Sequence, residues 1–289
     1  MTKSLVLGLF NGATYGLLAV GLVLVYKGAR VFNFMQGEFG TVAAYTVWAL
    51  VVNAKLPYGL ALLAGLVCAL LLGLIVERII VRPLLDAPRI TLLVATVGAA
   101  LLAIATEIIV AKPEGRVLKP ALGSKSFDIL GAGISTQQIL VPLVLGGLAV
   151  GLAYFFSQTN QGLAVLAVSQ DALATRIVGI SVPNMSRFIW GFAALLGGIA
   201  GILQAPINVF GPGFMTRSSL VPGFTAAVLG GMTSLPGAFL GGELVGVAQS
   251  LGIHFLGNRG VPGSADLTVF ALLLLVLMVR PQGLLGKEA

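Results

Sequence analysis

From Leu5 to Val279 the chain is a succession of apolar runs separated by short polar intervals. A hydrocarbon core of ~30 Å takes about 20 helical residues to cross. Leu5–Tyr26, Leu60–Val76, Thr91–Ala111, Ile139–Phe156 and Phe188–Ile207 are of that order, and Leu267–Val279 is a shorter last run. The runs are continuous rather than alternating, which selects helices over a barrel. Only 9% of the residues are charged, against about 25% in a soluble domain, and 39 glycines suit close helix packing. The expected fold class is therefore an all-α polytopic membrane protein of about eight transmembrane helices, some of them interrupted or half helices. Thr2–Ser4 lead straight into the first run, which is too long for a signal h-region and lacks a small-residue cleavage site, so it reads as a retained span.

The formal charge of +7 comes from 17 basic residues spread over short loops, the ordinary decoration of a protein beside anionic lipid, and does not point to nucleic acid. If Thr159–Pro183 is cytoplasmic, nine of them, from Lys27 to Lys287, share its side and eight do not, so the positive-inside rule leaves the orientation open. The one cysteine, Cys68, lies in an apolar run and excludes an intrachain disulfide or a cysteine metal site. His254 has no second ligand nearby in sequence, so no metal site and no catalytic residue is expected.

The first span carries Gly8, Gly12 and Gly16 at four-residue spacing, clearing one helix face, with Asn11 among them as interhelical glue or a pathway contact. After Lys27 and Arg30, the residues Asn33, Gln36 and Glu38 crowd the entry to a second span while Gly37 and Gly40 loosen the backbone. Such a segment resembles a broken or re-entrant helix start, which is tolerated only against protein or a wet cavity. Glu38 is either a functional carboxyl or one stabilised at a helix N-terminus. The third span ends in Glu77 and Arg78, which read as a solvated or snorkelling pair, and in a loop with Arg82, Pro83, Asp86, Pro88 and Arg89. Residues 112–138, with KPEGRVLKP, GSK and GAG, form the longest polar connection, with turn residues that suit a hairpin or a short strand pair.

Ser157–Pro183 is a moderately polar interval between apolar runs. Asp171 is a good N-cap, Ala172–Val178 a two-turn helix with Arg176 in its last turn, and Gly179 suits the C′ position. Gln161–Gln170 is weakly amphipathic, with Leu163, Leu166 and Ala167 on one side and Gln161, Val165 and Ser169 on the other. Pro183 forbids simple continuation. From Val221 to Phe255 the chain is short for two spans and long for one, and a half-helix followed by a full helix fits best. Thr225 and Glu243 lie in these two pieces.

No Walker A loop, HExxH or GxSxG occurs, so the chain has no visible means of hydrolysing ATP. Asn11, Asn33, Gln36, Glu38, Thr225 and Glu243 instead form a thin polar trail through the spans, as a solute pathway requires.

Four stretches together resemble the LivH-type permease subunit of branched-chain or hydrophobic amino-acid ABC importers, over about Leu5 to Gly286. Asn33, Phe34, Gly37, Glu38, Ala44 and Tyr45 match the family's "NFAHGE/D…GAY" signature. Ala167, Asp171, Gly179 and Ile180 match its "RAxAxDxxAAxxxGI" cytoplasmic element. Val228–Ala238 resembles its "VLGGxGSxPGA" turn, and Arg280-Pro281-Gln282-Gly283-Leu284-Leu285-Gly286 its "RPQGLxG" end. The sequence departs at Leu166, where the family has Arg, and at Met35-Gln36, where it has Ala-His. The resemblance implies one transmembrane permease domain over 1–289, in the bacterial inner membrane, with a cytoplasmic coupling loop at 157–187 and an external loop at 112–138. Implied partners are a LivM-like second permease, two ATP-binding subunits (LivG-like and LivF-like), an extracytoplasmic solute-binding protein and membrane lipids. No cofactor is expected on this chain, ATP and Mg residing on the partner ATPases. Gln170, Asp171, Ala172, Thr175, Arg176 and Gly179 would carry the coupling. The rival readings are a urea or short-amide ABC permease, an ion-gradient-driven secondary transporter using Glu38, Glu107 and Glu243, and a membrane-embedded enzyme. The last is weakest, because no two of those carboxylates lie at i,i+3 or i,i+4 spacing.

Overall fold

The computed structural model describes residues 2–85, 87–123, 125–129, 132–280 and 282–286; Asp86, Ser124, Gly131, Pro281 and Lys287, noted above, lie outside the described residues. The chain divides into two compact units, one built from residues 1–23, 119–149 and 218–289 and the other from 24–118 and 150–217. Among the described residues, six helices are long and apolar enough to cross a membrane. They are α1 (Thr2–Ala29), α3 (Tyr58–Val76), α4 (Arg89–Ala111), α5 (Thr136–Gln158), α8 (Val182–Gln204) and α10 (Leu235–Gly252). Shorter helices are α2 (Gln36–Trp48), α6 (Asn160–Gln170), α7 (Ala172–Ile177), α9 (Val221–Gly230) and α11 (Ser264–Val279). Strands β1 (Ser126–Ile129) and β2 (Ala132–Ser135) pair antiparallel, a short strand pair within the long connection.

In the larger unit α2, α3 and α8 pack against one another. Their patterning inverts that of a soluble helix. Along α3 the large residues Leu60, Leu63, Val67, Leu71 and Ile75 are exposed, while Ala61, Gly65, Ala69 and Gly73 are buried. Lipid already solvates leucine, so association is driven by close approach of backbones across small residues. At the crossing of α2 and α8, a Cβ on Gly201 would collide with the Gly40 backbone. Both positions therefore require glycine.

In the other unit the glycine ladder of α1 meets that of α10: a Cβ on Gly242 or Gly246 would collide with the backbone of Gly16 or Gly12 respectively. The half-helix expected after Val221 is α9, which ends at Gly230 with Gly231 at φ +98°. Ser234 then caps α10, its hydroxyl accepting from the Gly237 amide at 3.1 Å. The C-terminal segment returns to this turn, where the amides of Leu284 and Leu285 donate to the carbonyls of Leu229 and Gly230 at 2.7 and 3.2 Å. Carbonyls at a helix end inside a membrane have no water to turn to, and here backbone supplies the partners. Two of the motifs read from the sequence are thus one structural device.

The third span corrects the sequence reading. Glu77 is not solvated with Arg78 but fully buried, and its partner is Arg82, with Nη2 3.2 Å from Oε1. The turn at 77–81 widens to π geometry, which carries residue 82 round to residue 77, and the Arg82 guanidinium also reaches the Pro183 carbonyl at 3.3 Å.

Candidate functional site

The larger unit holds a polar centre built from the entry segment. Arg30 ends α1 at φ +54°, and residues 31–35 cross to α2 without helical bonding. Asn33 organises the crossing: its Oδ1 accepts from the Met35 amide at 3.0 Å and its Nδ2 donates to Gln36 Oε1 at 3.2 Å. Gln36 Nε2 donates to the Ala193 carbonyl of α8 at 2.9 Å. From α4, the Thr96 hydroxyl accepts from the Phe34 amide at 3.4 Å. An Asn at such a break offers the backbone an alternative to helix, which explains the interruption. Asn33 and Gln36 are thus brought together and engaged with protein.

Glu38 follows in the first turn of α2, where the macrodipole favours an acid. It is fully buried and lies beside Glu107 near the end of α4, with Thr41, Thr216 and Arg217 alongside. Glu107 Oε2 accepts from the Gly213 amide at 2.8 Å. The Thr41 hydroxyl accepts from the Met215 amide at 3.1 Å and donates to its own helix at the Gly37 carbonyl. Both oxygens of Glu38, Oε1 of Glu107, the Thr216 hydroxyl and the Tyr45 hydroxyl are buried, and Glu38 interacts with Glu107 and with the hydroxyls of Thr216 and Thr41. The sequence named Glu38 and Glu107 separately; their meeting rests on packing of α2 against α4 and has no local signal.

In the other unit Asn11 and Glu243 are half-buried and Thr225 is buried. Glu243 packs at Gly12, and its Oε2 lacks a hydrogen bond from protein. Thr225 is satisfied within α9, donating to the Val221 carbonyl at 2.9 Å. The sequence reading missed Tyr15, whose hydroxyl donates to Gln249 Oε1 at 2.7 Å in a buried bond.

The polar interval 157–183 folds as two short helices. Thr159 breaks α5 from α6 and accepts from the Gly162 amide at 3.0 Å. The buried side of α6 is Gly162, Val165, Val168 and Ser169, whereas Leu163 is exposed, so the face expected from large apolar residues is not the packed one. The cause is Gly162, which rides directly on the Phe155–Phe156 backbone. Asp171 caps α7, its Oδ1 accepting from the Ala174 amide at 2.9 Å. The far end closes with the Gly179 amide donating to the Arg176 carbonyl at 3.0 Å and the Ile180 amide to Thr175 at 3.2 Å, with Gly179 at φ +85°. This is a Schellman closure, and it makes Ile177, not Val178, the last helical residue. Gln170, Asp171 and Arg176 are exposed; Thr175 is buried and its hydroxyl donates to the Asp171 carbonyl. Ile177 and Val178 are 81% and 74% exposed. Arg30 Nη2 donates to the Ser169 carbonyl at 3.0 Å, tying the end of α1 to the end of α6.

The model of the family described as "branched-chain amino acid transport system / permease component" matches residues 4–279. The high-affinity branched-chain amino acid transport system permease protein BraD of Pseudomonas aeruginosa is 31% identical, over 99% of this chain and 95% of BraD. The corresponding protein LivH of Escherichia coli is 30% identical, over 97% of this chain and 94% of LivH. Among solved structures, a chain of PsaBC from Streptococcus pneumoniae in complex with Fab superposes with a TM-score of 0.56 at 17% identity, covering 97% of this chain and 92% of that one, a likeness of fold alone.

Proposed function

The chain belongs to the branched-chain amino acid transport system permease family, and from that premise we propose that it forms half of a translocation pathway for branched-chain or other hydrophobic amino acids. It is a multi-pass permease subunit of an ABC importer in the bacterial cytoplasmic membrane. Its partners in our reading are a LivM-like second permease, LivG-like and LivF-like ATPases that bind and hydrolyse ATP with Mg, and an extracytoplasmic solute-binding protein. The chain itself supplies path and lever rather than bond chemistry.

The observation that carries the coupling part of this reading is α7. A six-residue helix has little stability of its own, yet this one is fixed at both ends and presents Arg176, Ile177 and Val178 outward. A short rigid body with an apolar tip suits a groove on a moving partner, and Leu166, where the family has Arg, shifts that contact from charge toward packing. Along the pathway, Glu38 is a fully buried acid and Glu243 a half-buried one whose Oε2 takes no hydrogen bond from protein; Asn33 and Gln36 shape the backbone ahead of Glu38, Thr225 lies within α9, and Asn11 shares a helix with Gly12, which packs on Glu243. The buried carboxyls also fit a gradient-driven transporter, and one experiment separates the two. Vesicles reconstituted with the four partners should take up labelled leucine only when ATP and the binding protein are both present. Uptake driven by a proton gradient without ATP refutes the ABC reading.

A further inference from the structure

We propose that Arg30 is the positioning residue through which a displacement of α7 reaches the pathway, an inference that rests on the reading of α7 as the docked element. Arg30 lies 139 residues from Ser169 in the chain, yet its Nη2 donates to the Ser169 carbonyl at 3.0 Å. That carbonyl belongs to the last turn of α6, where helix carbonyls lack partners in their own helix and the macrodipole favours a cation. Two residues on, Asp171 caps α7. Arg30 therefore grips the joint from which α7 springs. A left-handed backbone costs a residue with a Cβ free energy, and at Arg30 the surroundings enforce it. Its amide donates to the Tyr26 carbonyl at 2.7 Å, its backbone turns at φ +54°, and the rings of Tyr26 and Phe32 stack across the turn at 5.2 Å.

The two ends of the α7 interval differ in what they connect to. After α7, the Pro183 carbonyl accepts from Arg82 Nη2 at 3.3 Å, and Arg82 is paired with the fully buried Glu77 just past the end of α3. Since α3 packs on α2 and α8, that end is anchored in the bundle. Before α7, Arg30 leads into residues 31–35, which carry no helical bonding. Such a short irregular link absorbs the dihedral changes of a displacement that packed helices resist. Within it Asn33 Oδ1 holds the Met35 amide at 3.0 Å, and Gln36 and Glu38 follow in the first turn of α2. One side chain thus joins the α6–α7 joint to the start of α2. Alanine at position 30 removes charge and donors together, whereas lysine keeps the charge and an N–H for a single carbonyl.

The test uses the assembled transporter, this chain with its partner subunits, in nanodiscs. Hydrogen exchange is compared with and without ATP and vanadate, which hold the ATPases closed. In the unmodified protein, residues 171–180 and residues 31–36 should both change protection on trapping. In Arg30→Ala, 171–180 should still respond and 31–36 should not, a split that a merely structural arginine would not produce. Loss of a hydrogen bond from a charged donor shifts the balance between held and released joint by roughly 10- to 150-fold, so uptake per ATP hydrolysed should fall about tenfold or more. Arg30→Lys should recover most of it, and Arg78→Ala, at an exposed arginine, should change neither readout. A response of 171–180 without one of 31–36 in the unmodified protein overturns the proposal whether or not any variant folds, and so does a response of 31–36 that survives in Arg30→Ala. Silence at 171–180 in the unmodified protein instead refutes the docked reading of α7, and this inference falls with it.

Discussion

If α7 is the element through which the chain is driven, loosening its two ends should cut transport without unfolding the protein. Asp171→Ala removes the carboxylate that holds the Ala174 amide, a loss of about 1 kcal/mol. Gly179→Ala places a Cβ on a residue at φ +85° with open space around it, so the cost is backbone strain alone, about 1–2 kcal/mol. The pair together cost at most ~2–3 kcal/mol, since both act on one short helix, equivalent to roughly 30- to 150-fold in the equilibrium between formed and frayed α7. Hydrogen exchange at the amides of Ala174, Gly179 and Ile180 should speed up by that factor while amides of α2 and α8 keep their protection. In vesicles with the partner subunits, uptake per ATP hydrolysed should fall at least tenfold in the double variant. Asp171→Ser, which keeps a cap, and Gly179→Asn, which tolerates the left-handed region, should restore most of it. Faster exchange with unchanged uptake per ATP and unchanged ATPase association would show that α7 forms but drives nothing, and the coupling assignment would fall.

Two further outcomes test the packing. Gly201→Val should destabilise the protein by more than the ~1–3 kcal/mol of ordinary overpacking, because it meets the Gly40 backbone rather than a movable side chain, and a lowered unfolding midpoint in detergent reads it; Leu71→Ala on the exposed face should leave the midpoint in place. Glu77→Ala should cost about 3 kcal/mol by stranding Arg82, while Glu77→Ala combined with Arg82→Leu should recover part of the midpoint; equal losses in the two would refute the pairing.

The spans, the half-helix after Val221 and both caps of α7 were legible because each follows from local chemistry: run length, a proline or glycine at a fixed offset, an acid before a helix. Glu77 with Arg82 was not, because an ordinary helical turn would not bring residues five apart together, and only the π turn does. The face of α6 was misjudged for a related reason. Hydrophobic periodicity looks for large side chains on the packed side, and here a glycine packs while Leu163 faces out. The meeting of Glu38 with Glu107 is invisible in one sequence, since nothing near either residue records the other. Helix starts also moved: α8 begins at Val182, ahead of the apolar run at Phe188, because Pro183 suits the first turn of a helix as well as it ends one.

The bonds from Leu284 and Leu285 to the end of α9 set an order of events during synthesis. When α9 leaves the ribosome, the amides that will cover its final carbonyls have not been made, and α10 and α11 must both follow before they are. Until then the half-helix carries bare carbonyls that lipid cannot solvate, so it has reason to stay in a wet or chaperoned setting rather than settle. The short terminal segment is the latch, and the unit it belongs to closes only when translation has delivered it.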